Sequence, residues 1–141
     1  VGVGKGEGFT VNLPLPQGMG DGEYVRVYRE VVEPIGRAFD PQLVLVSAGF
    51  DAYVGDPLAG MRLTPRGYRE LIEVCLDCGP GSRGAVVLLE GGYDLDGLAT
   101  CSAAVVRGLL GEAHAPVARS GRIDPLVEAY VAQLRPYWPV L

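Results

Sequence analysis

Histidine is almost missing from this chain: its 141 residues hold one, His114. That scarcity excludes a self-contained site built on several histidines, the residue most used to bind a catalytic zinc or act as a general base. Cysteine is sparse too. Three residues, an odd number, argue against a disulfide framework and suit a reducing, cytoplasmic setting. Positive charge is short, with 12 Lys and Arg against 17 Asp and Glu, so there is no basic footprint for nucleic acid. No apolar run approaches the roughly 18 residues that would argue for a membrane span. The opening Val1-Gly2-Val3-Gly4-Lys5-Gly6-Glu7-Gly8 is glycine-rich and lacks the apolar stretch of a signal peptide.

What is present describes a globular chain. Hydrophobic residues make up 48% and charged residues 21%, enough apolar material to bury a core within one domain. The first residue is Val1, not Met, and the expectation is a processed, trimmed or partial sequence. Apolar runs predict strands at 9–13, 43–46 and 85–89. Between and after them lie helical spacings. One opens at Asp21-Gly22 and carries Tyr24, Tyr28, Val31, Val32, Ile35 and Phe39, with Pro34 expected to kink it. A second starts at Thr64-Pro65, a cap followed by proline at the first helical position. It carries Tyr68, Leu71, Ile72, Cys75 and Leu76 and is expected to stop at Gly79-Pro80-Gly81. A third covers about 95–110 with Leu98, Val105, Val106, Leu109 and Leu110, and Asp124-Pro125 caps a last one with Val127, Tyr130 and Leu134. Residues 1–8 read as a lead-in and 113–122 as a linker. Alternation of this kind predicts the α/β class, a parallel sheet with helices on both faces. Three strands leave both sheet edges unpaired, which points to a missing upstream part.

Chemistry concentrates where strands end. In an open α/β sheet, ligands bind beyond the carboxyl ends of parallel strands. The run 43–46 leads into Ser47-Ala48-Gly49-Phe50-Asp51, and 85–89 leads into Glu90-Gly91-Gly92-Tyr93. Asp51 offers a carboxylate that suits one of the three protein ligands of a catalytic zinc. Equally, it could be a turn former bonded to its own backbone. Tyr93 follows two glycines, which let a substrate pass close to backbone, and its phenol could donate to a developing oxyanion. The plainer alternative is a tyrosine half-buried at a turn. Cys75-x-x-Cys78 lacks a second pair and sits late in a helix, so packing explains it better than metal. Asp94 and Asp96 fit a helix N-terminus.

Taken in order and spacing, several stretches resemble the zinc-dependent histone deacetylase superfamily, including acetoin-utilisation proteins and acetylpolyamine amidohydrolases. They are 11–16 (VNLPLP), 43–52 (LVLVSAGFDA), Gly55-Asp56-Pro57-Leu58, Leu63-Thr64-x-x-Gly67-Tyr68 and Leu89-Glu90-Gly91-Gly92-Tyr93. The resemblance implies the C-terminal part of an arginase/deacetylase-like fold. It implies that Asp51 is one of three zinc ligands and that Tyr93 polarises the acetyl carbonyl and stabilises the oxyanion. Gly91 and Gly92 would line the acyl tunnel. Leu58 would stand at its rim, an apolar residue that tilts the choice of substrate toward acetyl-lysine or another uncharged acyl amine. In the family, the other two zinc ligands come from an Asp-x-His motif and the general base from a His-His pair. Neither motif occurs here, so the chain is expected to be inactive by itself and to depend on the N-terminal half of the domain. A non-catalytic deacetylase remnant acting as a protein-interaction module stays open beside the enzyme.

Overall fold

Two runs of valine and leucine form the sheet in this computed structural model, which describes residues 1–79 and 81–141. Strand β1, Val44–Ala48, pairs in parallel with β2, Ala85–Leu89, with Val46 opposite Val87 and Ala48 opposite Leu89. Parallel strands need a crossover, and helix α3, Pro65–Asp77, provides it. Before β1 come α1, Asp21–Val27, a π-helical turn, Tyr28–Val32, and α2, Glu33–Phe39. After β2 come α4, Leu95–Leu109, and α5, Asp124–Leu134. The class expected from alternation, α/β with a parallel sheet, is the class observed.

The third strand is not. Residues 9–16 join no strand among the described residues. Pro14 and Pro16 cannot donate to a ladder. Val11, Leu13 and Leu15 instead lean their side chains on the apolar cluster of Val27, Val31, Ile35, Val127, Tyr130 and Leu134. A second cluster joins Val25, Phe50, Leu63, Tyr68, Leu71, Ile72, Cys101 and Val105, with Val46, Ala48 and Val87 against it. That cluster covers one face of the sheet. On the other, Leu45, Ser47, Val86 and Leu88 are exposed.

Several local expectations are corrected. Just before Pro34, expected to kink its helix, the structure has a widened π-helical turn, in which the Glu33 N–H reaches back to the Tyr28 carbonyl. Val31 and Ile35 are buried as expected, Val25 and Val27 are buried as well because this helical stretch packs between both clusters, and Phe39 is exposed. Thr64 begins α3 by backbone geometry, but its hydroxyl donates to Asp21 at 2.6 Å rather than capping the helix. Asp124 is the first residue of α5, not its cap, and its carboxylate is drawn to Arg26. Val106, Leu109 and Leu110 are exposed, whereas Cys101 and Ala104 are buried, so α4 turns its smaller side chains inward. The stop expected at Gly79-Pro80-Gly81 includes Pro80, which lies outside the described residues.

The Cys75 and Cys78 thiols are free. Burial, aided by Cys78, pushes Cys75 up to about 12, which keeps it a protonated packing group. No described helix is long and apolar enough to cross a membrane.

Candidate functional site at the strand ends

The register puts the carboxyl ends of β1 and β2 side by side, and backbone pairing continues past them. Glu90 N–H donates to Ala48 O at 3.0 Å, and Phe50 N–H donates to Gly91 O at 2.8 Å. These two bonds lock the Asp51 turn to the Gly91-Gly92 loop. Phe50 anchors the turn from below, 3% exposed and 5.0 Å in ring-centre distance from Tyr68. Tyr53 N–H returns to Phe50 O at 3.1 Å, and Leu63 N–H donates to Ala52 O at 3.0 Å, so the turn is fixed on its far side as well.

Asp51 is half-buried between glycines. A Cβ on Gly91 would lie 3.1 Å from its Oδ2, and one on Gly49 would lie 3.4 Å from its Oδ1. A side chain at 91 would crowd the carboxylate by a few tenths of an ångström, whereas one at 49 would only touch it. Gly92 is required for a second reason. Its φ of +129° is closed to other residues, and a Cβ there would stand 3.0 Å from that of Phe50.

Asp51 also shapes what lies beneath it. Burial first, and the Asp51 charge second, raise the Tyr24 phenol above its ordinary range. Tyr68 is raised by burial, with Cys101 and Asp51 adding to the effect. Both phenols are held neutral under the carboxylate.

Tyr93 is 57% exposed, its ring outside the core. What is fixed is its backbone, and Asp56 fixes it. Asp56 Oδ2 accepts from the Tyr93 N–H at 2.8 Å, while Oδ1 accepts from Leu58 N–H at 2.9 Å and Ala59 N–H at 3.2 Å. Burial opposes the charged carboxylate, but these N–H groups outweigh it and bring its pKa below the usual 3.8. Asp94 then caps α4, accepting from Gly97 N–H at 2.5 Å. Tyr93 therefore sits between two anchored carboxylates.

The five residues expected at the site lie in two backbone-linked groups. Asp51 adjoins Gly91, Gly92 rests on Phe50, and Tyr93 and Leu58 are tied together through Asp56. Leu58 is 72% exposed. Sequence reasoning missed Asp56, although Gly55-Asp56-Pro57 is a turn signal whose aspartate caps nearby N–H groups.

The donor set for a metal is incomplete within the chain. A catalytic zinc needs three protein ligands, and among the described residues no group of three candidate metal ligands includes Asp51. Asp51 fits one ligand of such a site; the chain does not fit the whole of it.

Fold and crevice define an α/β protein with an acid and a phenol-bearing glycine loop beyond neighbouring strand ends. Comparison with known proteins narrows that class. Residues 1–109 match the family model for the histone deacetylase domain. The chain is 38% identical to histone deacetylase 18 of Arabidopsis thaliana over 148 aligned positions, covering all of this chain and 21% of that protein. It is 41% identical to the polyamine deacetylase HDAC10 of Homo sapiens, covering all of this chain and 22% of that protein. A crystal structure of the HDA15 HD domain superposes with a TM-score of 0.85 at 39% identity, over 99% of this chain and 38% of that one. The chain belongs to the histone deacetylase family. It spans about a fifth of the length of these two curated relatives.

Proposed function

We propose that this chain is the C-terminal part of a zinc-dependent deacetylase that hydrolyses acetyl-lysine or a related N-acetyl amine. Family membership supports the deacetylase class. The observation that carries the reading is the lock between the two strand ends, which sets Asp51 against Gly91 with Tyr93 two residues on.

In this reading Asp51 contributes one carboxylate ligand, and Gly49 and Gly91 keep its approach clear. Zinc, when bound, supplies Lewis acidity toward the acyl oxygen and lowers the pKa of a water. Tyr93 donates a hydrogen bond from its phenol to the negative charge that develops on the acyl oxygen. Its exposure, with backbone held by Asp56, suits a group that reaches into a cleft completed from elsewhere. Gly91 and Gly92 form a wall without side chains beside the acyl group. Leu58 at the rim presents apolar surface, which favours the uncharged part of an acyl-lysine over a polycationic amine. The remaining two ligands, from an Asp-x-His motif, and the general base, from a His-His pair, are not carried by this chain, whose only histidine is His114.

The test compares acetate release from an acetyl-lysine peptide by the chain alone and by the chain joined to the upstream, histidine-bearing part of a family domain. The joined protein is expected to turn over and the chain alone to be inactive. A joined protein that folds but neither turns over nor takes up zinc would instead favour a non-catalytic interaction module.

A further inference from the structure

The lone histidine is not idle. Residues 112–120 have no regular structure, yet they are strapped to α3. Arg66 donates to the carbonyls of Ala115 and Pro116, each at 3.1 Å, and Arg69 donates to that of Glu112. The strap lowers His114 onto Glu70 and Glu73, which lie one turn apart on α3. His114 Nε2 is 2.8 Å from Glu73 Oε2 and 3.9 Å from Glu70 Oε2.

Each partner's other atom is already committed. Glu70 Oε1 accepts from Arg29 at 3.2 Å, and Glu73 Oε1 accepts from Arg69 at 3.2 Å. His114 Nδ1 lies 2.8 Å from the Ala115 carbonyl. A carbonyl only accepts, so Nδ1 donates in that bond; the Glu73 carboxylate oxygen likewise only accepts, so the proton that Nε2 presents to it at 2.8 Å is the one an ion would replace. The Nδ1 bond is of the kind that orients a metal-binding histidine. Glu70 Oε2 has one further neighbour, the Val117 N–H at 3.3 Å. Two carboxylate oxygens and one imidazole nitrogen thus face one point, all within 4.8 Å of one another. Glu70 is 5% exposed, and a cavity of about 380 Å³ opens beside the group, with room for water to complete a coordination shell.

Glu33, Glu70, Glu73 and Asp77 meet three guanidiniums, Arg29, Arg37 and Arg69, and the fourth carboxylate is left to His114 or to an ion bound in place of its Nε2 proton. Imidazole with carboxylates suits a first-row divalent ion, whereas magnesium prefers oxygen and water.

We propose that Glu70, Glu73 and His114 form a binding site for a zinc-like divalent cation, separate from the strand-end crevice. Such an ion would clip residues 112–120 to α3. The proposal does not depend on the deacetylase reading.

The test is calorimetric titration with Zn²⁺, and with Mg²⁺ as the second probe, in protein carrying Asp51→Asn so that an ion at Asp51 is not counted. One zinc per chain is expected, with magnesium at least ~100-fold weaker. His114→Ala and Glu73→Gln should each weaken zinc by about tenfold or more, with circular dichroism showing that both remain folded. Zinc should also raise the melting temperature of the parent protein and of neither variant. Absence of zinc uptake, or uptake unchanged in both folded variants, would overturn the site. So would equal affinity for magnesium.

Discussion

Tyr93→Phe is expected to lower acetate release by the completed domain about 100- to 1,000-fold, the usual effect of removing one oxyanion donor. Its thermal unfolding should be unchanged. The ring is exposed, and the bond that fixes this residue runs from its backbone N–H to Asp56, not from the hydroxyl. A single oxygen atom is deleted, and the loop is not asked to move. The loss should fall mainly on kcat, because the donor serves charge that appears in the transition state. A Phe variant with undiminished kcat would remove Tyr93 from the chemistry.

Asp56 should matter nearly as much without touching substrate. Asp56→Ala leaves the N–H groups of Leu58, Ala59 and Tyr93 without their acceptor and frees the loop that carries the phenol. Displacement of a catalytic group by about 1 Å can cost on the order of 100-fold, and a loss of that size is expected, together with a lower unfolding midpoint. Asp56→Asn should be almost as harmful. Both carboxylate oxygens accept from N–H groups, so the amide must turn a donor toward a donor. The pH dependence has a definite sign. The folded-state pKa lies below the ordinary 3.8, so the unfolded chain takes up the proton first. The stabilisation is complete well above 3.8 and drains away as pH falls through the folded value. Unfolding midpoints of wild type and Asp56→Ala should therefore differ at neutral pH and converge in acid. A gap that widened in acid would refute the assignment.

These two residues mark where the sequence was readable and where it was not. Tyr93 and Asp51 could be found because each follows an apolar run, and the strand-end rule gives such positions meaning. Asp56 was part of a quoted motif, but its work is three contacts to backbone N–H groups, one of them 37 positions away. No local pattern announces that pairing. The strands 44–48 and 85–89 were legible as β-branched and leucine runs. The run 9–13 resembled them, yet a strand needs a partner edge, and its Val11 and Leu13 found an apolar cluster instead. Pro34 was visible, but not the π-helical turn that precedes it. His114 looked like a residue in a linker. Its partners are Glu70 and Glu73, more than forty positions earlier, and only the folded strap brings them together.

The central claim is that Asp51 belongs to a metal-dependent deacetylase site. The most direct test measures acetate release from an acetyl-lysine peptide by the chain joined to the upstream, histidine-bearing part of a family domain, with Asp51→Ala beside wild type and bound zinc quantified in both. The account predicts turnover by wild type, loss of at least ~100-fold in the variant, and a parallel loss of zinc from the strand-end site. Full activity and full zinc content in Asp51→Ala would contradict it.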